Sequence, residues 1–378
     1  MTGIQNSIML VTIKGKKKNQ IFQIQDGQGS TWDSPEEIKV AFVDYFANLF
    51  TTWGGGNMDQ CLQNINVRVT DGMNNELLKE FSCEEVTFAL KQMSPLKAPG
   101  SDGFPVRFFQ NHWETIGGEV SMFVVDILNS GKMSENLNLT HIALIPKVKS
   151  PRCVTEFRPI SLCNVLYKLI SKALANCLKK VLPHIIAHTQ SAFVPGRLIF
   201  DNILAAYETL HTMHTRKKGK KGFMAIKLDI SKAYDRVEWG FLDETMRQMG
   251  FPPRWRQLMM MCVTTVNYSI WVNGKPCGHI QPSRGLKKRD LIAPYLFLLC
   301  VEVLSSMVTQ ANMDGLLAGV PTSKYGPWVS HLFFADDSLL CWLSISQWNQ
   351  WSNILKLYED ASGQRLNNTK LPSFLAKT

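Results

Sequence analysis

Two adjacent aspartates, Asp336 and Asp337, interrupt the apolar run HLFFADDSLLCWL at residues 331–343. Asp bonds readily to nearby backbone, so the pair reads as a hairpin turn between two short strands. The same hairpin could instead present paired hard oxygen ligands to a divalent cation. On these residues alone both readings stand. A third carboxylate comes from GFMAIKLDI, residues 222–230, the clearest strand pattern in the chain. Alternation puts Met224, Ile226, Leu228 and Ile230 on one apolar face and Phe223, Ala225, Lys227 and Asp229 on the other. Asp229 then ends the strand, just before the helical-looking SKAYDRVEWGFLDETMRQM. If that strand neighbours the hairpin, three carboxylates converge and repel one another unless cations sit among them. Two Mg²⁺ ions about 3.5–4 Å apart would relieve the repulsion and serve phosphoryl transfer.

The elements that would position these groups come from a chain of 378 residues, 45% hydrophobic, enough for a sizeable core and two or three lobes. SPEEIKVAFVDYFANLF predicts a helix capped by Ser34, with Pro35 at its first position and acidic residues in its first turn. TTWGGGN at 51–57 is a break, and residues 1 to about 70 read as peripheral. NELLKEFSCEEVTFALKQM reads as helix, HIALIPKV as strand, and FRPISLCNVLYKLISKALANCLKKVL as a strand leading into a helix. The longest apolar run, YLFLLCVEVL, is cut by Glu302 and fits a buried helix rather than a membrane span.

Charge narrows the partners. Lys and Arg number 41 against 31 Asp and Glu, a net +10, with clusters at KGKKK (14–18), RKKGKK (216–221) and KKR (287–289). Such an excess suits a polyanion, because neutralising phosphates releases counterions, although charge runs also serve as solvated loops. Nine cysteines without a CxxC pair indicate neither a zinc ribbon nor a disulfide framework. The N-terminus lacks signal-peptide order, so the expected setting is intracellular, nucleus or cytoplasm, without secretion or membrane. No GxxxxGK[ST] run is present, which argues against a P-loop site.

A series of ordered segments carries a resemblance. They are LKAPGSDGFP (96–105), ALIPKVKSPRCVTEFRPISLCNVLYKLISKALANCLKKVLP (143–183), QSAFVPGRLIFDNIL (190–204), KLDISKAYDRVEW (227–239), GHIQPSRGL (278–286), PYLFLLC (294–300), FFADDSLLC (333–341) and YEDASGQRLN (358–367). Together they resemble the reverse transcriptase domain of a non-LTR retrotransposon of the plant LINE type. The resemblance implies an α+β right-hand polymerase, with fingers and an antiparallel palm sheet flanked by helices. Residues 1–74 would be an N-terminal extension or linker, 75–222 the fingers-like part and 223–378 the palm, with the thumb truncated. It further implies RNA template, DNA primer and deoxynucleoside triphosphates as partners, and two Mg²⁺ ions, with Mn²⁺ as the alternative.

Residue by residue, Asp229, Asp336 and Asp337 match the family's catalytic metal-binding carboxylates, and Ile230 would add a backbone carbonyl. Tyr234 matches the bulky residue under the deoxyribose, and Lys147 and Arg158 match basic fingers positions facing the triphosphate. Gln190, Arg197 and Asn202 fall in a segment expected to track the template, and Lys370 lies where a lysine protonates pyrophosphate. Departures accompany the match. Where the family has Arg-Gln-Gly-Asp-Pro-Leu-Ser-Pro, this chain runs from Lys287 to Pro294 with Lys288 and Arg289 replacing Gln and Gly. These two residues become nucleotide-binding candidates and a potential misfit, since Gly allows conformations that a side chain forbids. Ser101 likewise stands for a Pro. The expectation is a polymerase domain from a truncated or degenerate copy. The alternative is a catalytically silent remnant that only binds nucleic acid.

Overall fold

Ser34 caps the first long helix as its sequence predicts, its hydroxyl accepting from the Glu37 N–H, with Pro35 opening the first turn. The computed structural model describes residues 20–25, 29–215, 223–323, 326–342 and 347–367, with the backbone of 373–375. The chain begins with β1 (Ile24–Gln25), β2 (Thr31–Trp32), α1 (Pro35–Phe50), α2 (Met58–Leu62), α3 (Asp71–Leu77), α4 (Cys83–Lys91), α5 (Val106–Asn111) and α6 (Trp113–Ser130). Next come β3 (Leu139–Pro146), β4 (Phe157–Leu162), α7 (Val165–Ile185), α8 (Ile199–Thr215), β5 (Met224–Ser231), α9 (Trp239–Gln248) and α10 (Pro253–Thr264). Then follow β6 (Asn267–Val272), β7 (Lys275–Ile280), α11 (Ala293–Met313), β8 (Val320–Pro321) and β9 (Trp328–Val329). The last are β10 (His331–Phe334), β11 (Asp337–Trp342), α12 (Trp348–Ser362), β12 (Arg365–Leu366) and β13 (Ser373–Leu375).

Two sheets organise these elements. One is antiparallel, in the order β10-β11-β5-β12, with β13 also on β5. The other runs β4-β3-β6-β7, its β3–β6 pair parallel. Strand β5 behaves as its alternation predicts. Ile226, Leu228 and Ile230 join the main core with α9, α11 and α12, while Phe223 and Ala225 meet Met213 of α8 on the opposite face. Because α8 covers only the first part of that face, Lys227 is exposed and Asp229 half-buried.

The stretch before residue 70 is not peripheral. Helix α1 packs Phe42 edge-to-face against Phe157 and Phe50 at a tilt against Tyr268, so it closes the core of the second sheet, and Cys61, Leu62 and Val69 enter the main core. That second sheet also joins β3 and β4 to β6 and β7, across the boundary drawn at 222/223. Long-range strand pairing is what local pattern leaves open. Among the described residues, one helix, Ala293–Met313, has the length and apolarity to cross a bilayer, and most of it is buried in the protein. Its Glu302 is buried and paired with Arg68 at 2.5 Å. All nine cysteines are free.

Candidate active site

The hairpin closes on the pair Phe334 and Asp337, so its two-residue loop is Ala335–Asp336. The expected Asp336–Asp337 turn is therefore shifted by one, and Asp337 is the first residue of β11. Ala335 takes the positive φ, +61°, that a tight hairpin loop demands at its first position. This register puts Asp337 directly opposite Asp229 on β5, with Asp336 exposed at the tip. Facing residues on antiparallel strands have Cβ atoms only ~5 Å apart, where like charges destabilise. Lys227 offsets part of this, its Nζ lying 3.0 Å from Asp337 with both side chains about half exposed. Asn367 supports Asp229, donating its backbone N–H to the Asp229 carbonyl at 2.9 Å and its amide to the carboxylate at 3.3 Å.

The donor chemistry fits divalent cations: three hard carboxylates at one strand end, two of them opposed. Since the Asp229 carbonyl points toward Asn367, alternation turns the Ile230 carbonyl toward the hairpin side. Among the described residues, no three His, Cys, Asp or Glu side chains already converge as a metal cluster.

Three residues expected along the template instead build the hairpin's support. The Gln190 amide oxygen accepts from the Ala335 N–H at 3.2 Å, which fixes the turn. Asn202 donates to the carbonyls of Thr189 and Phe333 at 2.8 and 3.1 Å. Both are buried, at 2% and 6% exposure, too enclosed to meet a strand. Arg197 donates to the carbonyls of Pro183, Ile186, Ala187 and Gln190, and so caps the end of α7. These three side chains are engaged with protein backbone.

Tyr234 stacks on Phe297 of α11 at 4.7 Å, and burial, reinforced by the Asp336 charge, pushes its phenol further up. Arg158 is exposed on β4 opposite Ile145, and its guanidinium makes no hydrogen bond or ion pair among the described residues. Lys147 is also exposed, but its ammonium donates to the Thr155 carbonyl at 2.7 Å, which makes it in part a loop fastener. Lys370 and the clusters at 14–18 and 216–221 lie outside the described residues.

The 284–290 loop differs most from a solvated charge run. Gly285, at φ +95°, brings its backbone against the 234–239 turn, where a Cβ would come within 2.7 Å of the Asp235 carbonyl. Lys287 is only 4% exposed, with its ammonium over the Tyr167 ring at 3.2 Å and bonded to Asn138. Asp290 accepts from Tyr167 at 2.6 Å and Ser171 at 2.7 Å. Between these two buried anchors the chain makes a tight turn, closed by the Asp290 N–H donating to the Lys287 carbonyl at 3.2 Å. Lys288 pairs with the buried Asp235 carboxylate at 2.5 Å, so its charge is committed to protein rather than offered to a nucleotide. Arg289 is exposed and holds φ +72°, the left-handed region that glycine tolerates best.

Sequence reasoning missed Lys232 and Asp235. Lys232 follows the β5 end at φ +52°, its ammonium 4.3 Å from the Tyr45 ring centre, and burial pulls its pKa down to about 8. The signal was available in SKAYDR, where charges sit among residues that must turn back onto the core.

The family described as reverse transcriptase (RNA-dependent DNA polymerase) matches residues 145–377. The chain is 26% identical over 364 residues to the transposon TX1 uncharacterized 149 kDa protein of Xenopus laevis, covering 96% of this chain and 27% of that one. It is 26% identical over 253 residues to the retrovirus-related Pol polyprotein from type-2 retrotransposable element R2DM of Drosophila melanogaster, covering 66% and 22%. A 67-residue match, 48% identical, to the uncharacterized mitochondrial protein AtMg01250 of Arabidopsis thaliana covers 18% of this chain and 55% of that one. The chain thus spans about a quarter of the length of the long relatives it matches.

Proposed function

Because the chain belongs to the reverse transcriptase family, the RNA-dependent DNA polymerases, we propose that it forms the fingers and palm of a non-LTR retrotransposon polymerase of the plant LINE type. Its reaction is nucleotidyl transfer to a primer 3′-hydroxyl, with an RNA template and deoxynucleoside triphosphates as partners. The observation that carries this reading is the register of Asp229 against Asp337, beside Asp336 at the turn. When bound there, two Mg²⁺ ions, or Mn²⁺, supply an acidified 3′-hydroxyl and charge neutralisation at the leaving pyrophosphate.

The chain's own residues supply position. Asp229, Asp336, Asp337 and the Ile230 carbonyl would hold the ions, and Gln190 holds the hairpin that would present them. Tyr234, braced by Phe297, forms the floor under the sugar. Arg158 offers an unengaged guanidinium to the triphosphate, and its planar fork suits phosphate oxygens. It stands on the same strand as Ser161, which touches the 284–290 loop through the Lys288 carbonyl, ~10 Å along β4.

The test is primer extension on an RNA template with Mg²⁺, wild type against Asp336→Ala. Template-dependent extension that disappears in the variant supports the reading. Extension that survives the variant refutes it. A second reading, a polymerase-silent nucleic-acid binder, is favoured by the Lys288–Asp235 pair and the strained Arg289, which stand where the family pattern has Gln and Gly. It predicts no extension, but salt-sensitive binding of an RNA–DNA hybrid.

A further inference from the structure

We propose that a cleft of about 260 Å³ between the 51–56 loop and β12 is a second site, one that holds a nucleotide unit with Arg236 on its phosphate and Trp53 against its base. It lies beside the carboxylates but on the other flank of β5, since Arg365 of β12 pairs with Ser231, two residues beyond Asp229. The inference does not rest on the polymerase reading.

The charges in the cleft are unevenly engaged. Arg284 is buried, paired with Glu238 at 3.4 Å and bonded to the Leu49 carbonyl at 2.9 Å. Arg365 faces Asp360 at 3.7 Å, and Glu359 accepts the Leu366 N–H at 2.5 Å. Arg236, half-buried, makes no hydrogen bond or ion pair among the described residues. Burial, then the Arg284 and Arg365 charges, pull its pKa down, while Asp235 and Glu359 offset them only in part. A half-buried guanidinium with no protein partner is open to a phosphate, whose oxygen pair matches its planar fork.

Trp53 supplies the second element. It is 74% exposed, whereas Trp255, Trp342 and Trp351 are fully buried. Its loop is nevertheless pinned. Thr52 donates its hydroxyl to Glu238 at 2.5 Å, and the N–H groups of Thr52 and Gly56 donate to Ser283 at 2.8 Å and to the Asp360 carbonyl at 3.0 Å. The indole therefore stands at the cleft mouth on a fixed base, 5.3 Å from the Arg284 guanidinium. An aromatic face beside an unmatched arginine is the pairing that holds nucleotides without reading sequence.

The experiment titrates dATP, inorganic pyrophosphate and a single-stranded octanucleotide into the intact chain in EDTA, which keeps metal-dependent nucleotide binding at the carboxylates silent. Arg236→Gln is expected to weaken binding about tenfold, the worth of one charge-assisted contact. Trp53→Ala is expected to weaken dATP or the octanucleotide about fivefold and to leave pyrophosphate unchanged. Tighter binding of dATP than of the octanucleotide identifies a free nucleotide as the occupant, and the reverse identifies a strand. Asp336→Ala should leave these affinities unchanged. Absence of binding of all three probes to the wild type, or equal binding by wild type and a folded Arg236→Gln, overturns the proposal.

Discussion

Asp229 of β5 lies directly opposite Asp337 of β11 in an antiparallel ladder, with Lys227 reaching diagonally to Asp337 at 3.0 Å. Two carboxylates in register are a cost to the metal-free fold, so their stability effect and their chemical effect should have opposite signs. Asp229→Asn is expected to stabilise the chain in EDTA by about 0.5 kcal/mol. Mg²⁺ should raise the Tm of the wild type but not of this variant, which should also lose all primer extension. Calorimetry with and without Mg²⁺ checks this, and a lower Tm in EDTA would show that the pair is not repulsive.

Arg289 holds φ +72° between buried anchors at Lys287 and Asp290. Arg289→Gly should stabilise the fold by about 1 kcal/mol, the usual cost of a left-handed non-glycine residue. Extension should rise along with it, because the long side chain leaves the loop. Denaturant melts and extension rates measure the two effects separately.

Lys288→Gln should behave differently. It strips the buried Asp235 carboxylate of its partner, at an expected cost of about 2 kcal/mol, below that of a fully buried pair because Lys288 is partly exposed. Adding Asp235→Asn should restore most of that loss. A double-mutant cycle reads the coupling directly, and additive losses would show that the pair is not coupled.

His331, at the root of the hairpin, is buried among the hydroxyls of Thr189, Ser305 and Ser330. Burial lowers its pKa from 6.5 to about 4. The unfolded chain then binds the extra proton first, so stability is lost as pH falls from about 6.5 toward 4, by up to ~3 kcal/mol. Subtracting the stability–pH profile of His331→Gln from that of the wild type should leave this slope. A flat difference would exclude His331 as its source.

Two arginines that both match the family should separate by assay. Arg197→Ala removes four bonds to carbonyls at the end of α7 and should lower stability by about 2 kcal/mol, with no change in the salt dependence of hybrid binding. Arg158→Ala touches no internal partner, so Tm should hold while KM for the nucleotide rises about tenfold.

What the sequence determined by itself was local. Alternation along 223–230 assigned the two faces of β5, because side-chain direction repeats every second residue whatever the strand meets. Ser34-Pro35-Glu36-Glu37 marked the start of a helix, because capping is settled within one turn. The ordered motifs brought Asp229, Asp336 and Asp337 together as candidates. The tertiary structure decided which residue met which. Asp337 rather than Asp336 faces Asp229, because the loop turned at Ala335 and a one-residue shift in register reverses every facing pair. Lys287, Lys288 and Arg289 read as three like charges, yet one is buried on Tyr167, one is spent on Asp235 and one is left exposed on a strained backbone. Arg197, Gln190 and Asn202 turned inward because the end of α7, its following loop and the hairpin leave carbonyls and an N–H that side chains must satisfy. Arg197 reaches back only 7 to 14 positions, but Gln190 and Asn202 reach Ala335 and Phe333 across 145 and 131, and only the packing of the whole chain selects such partners.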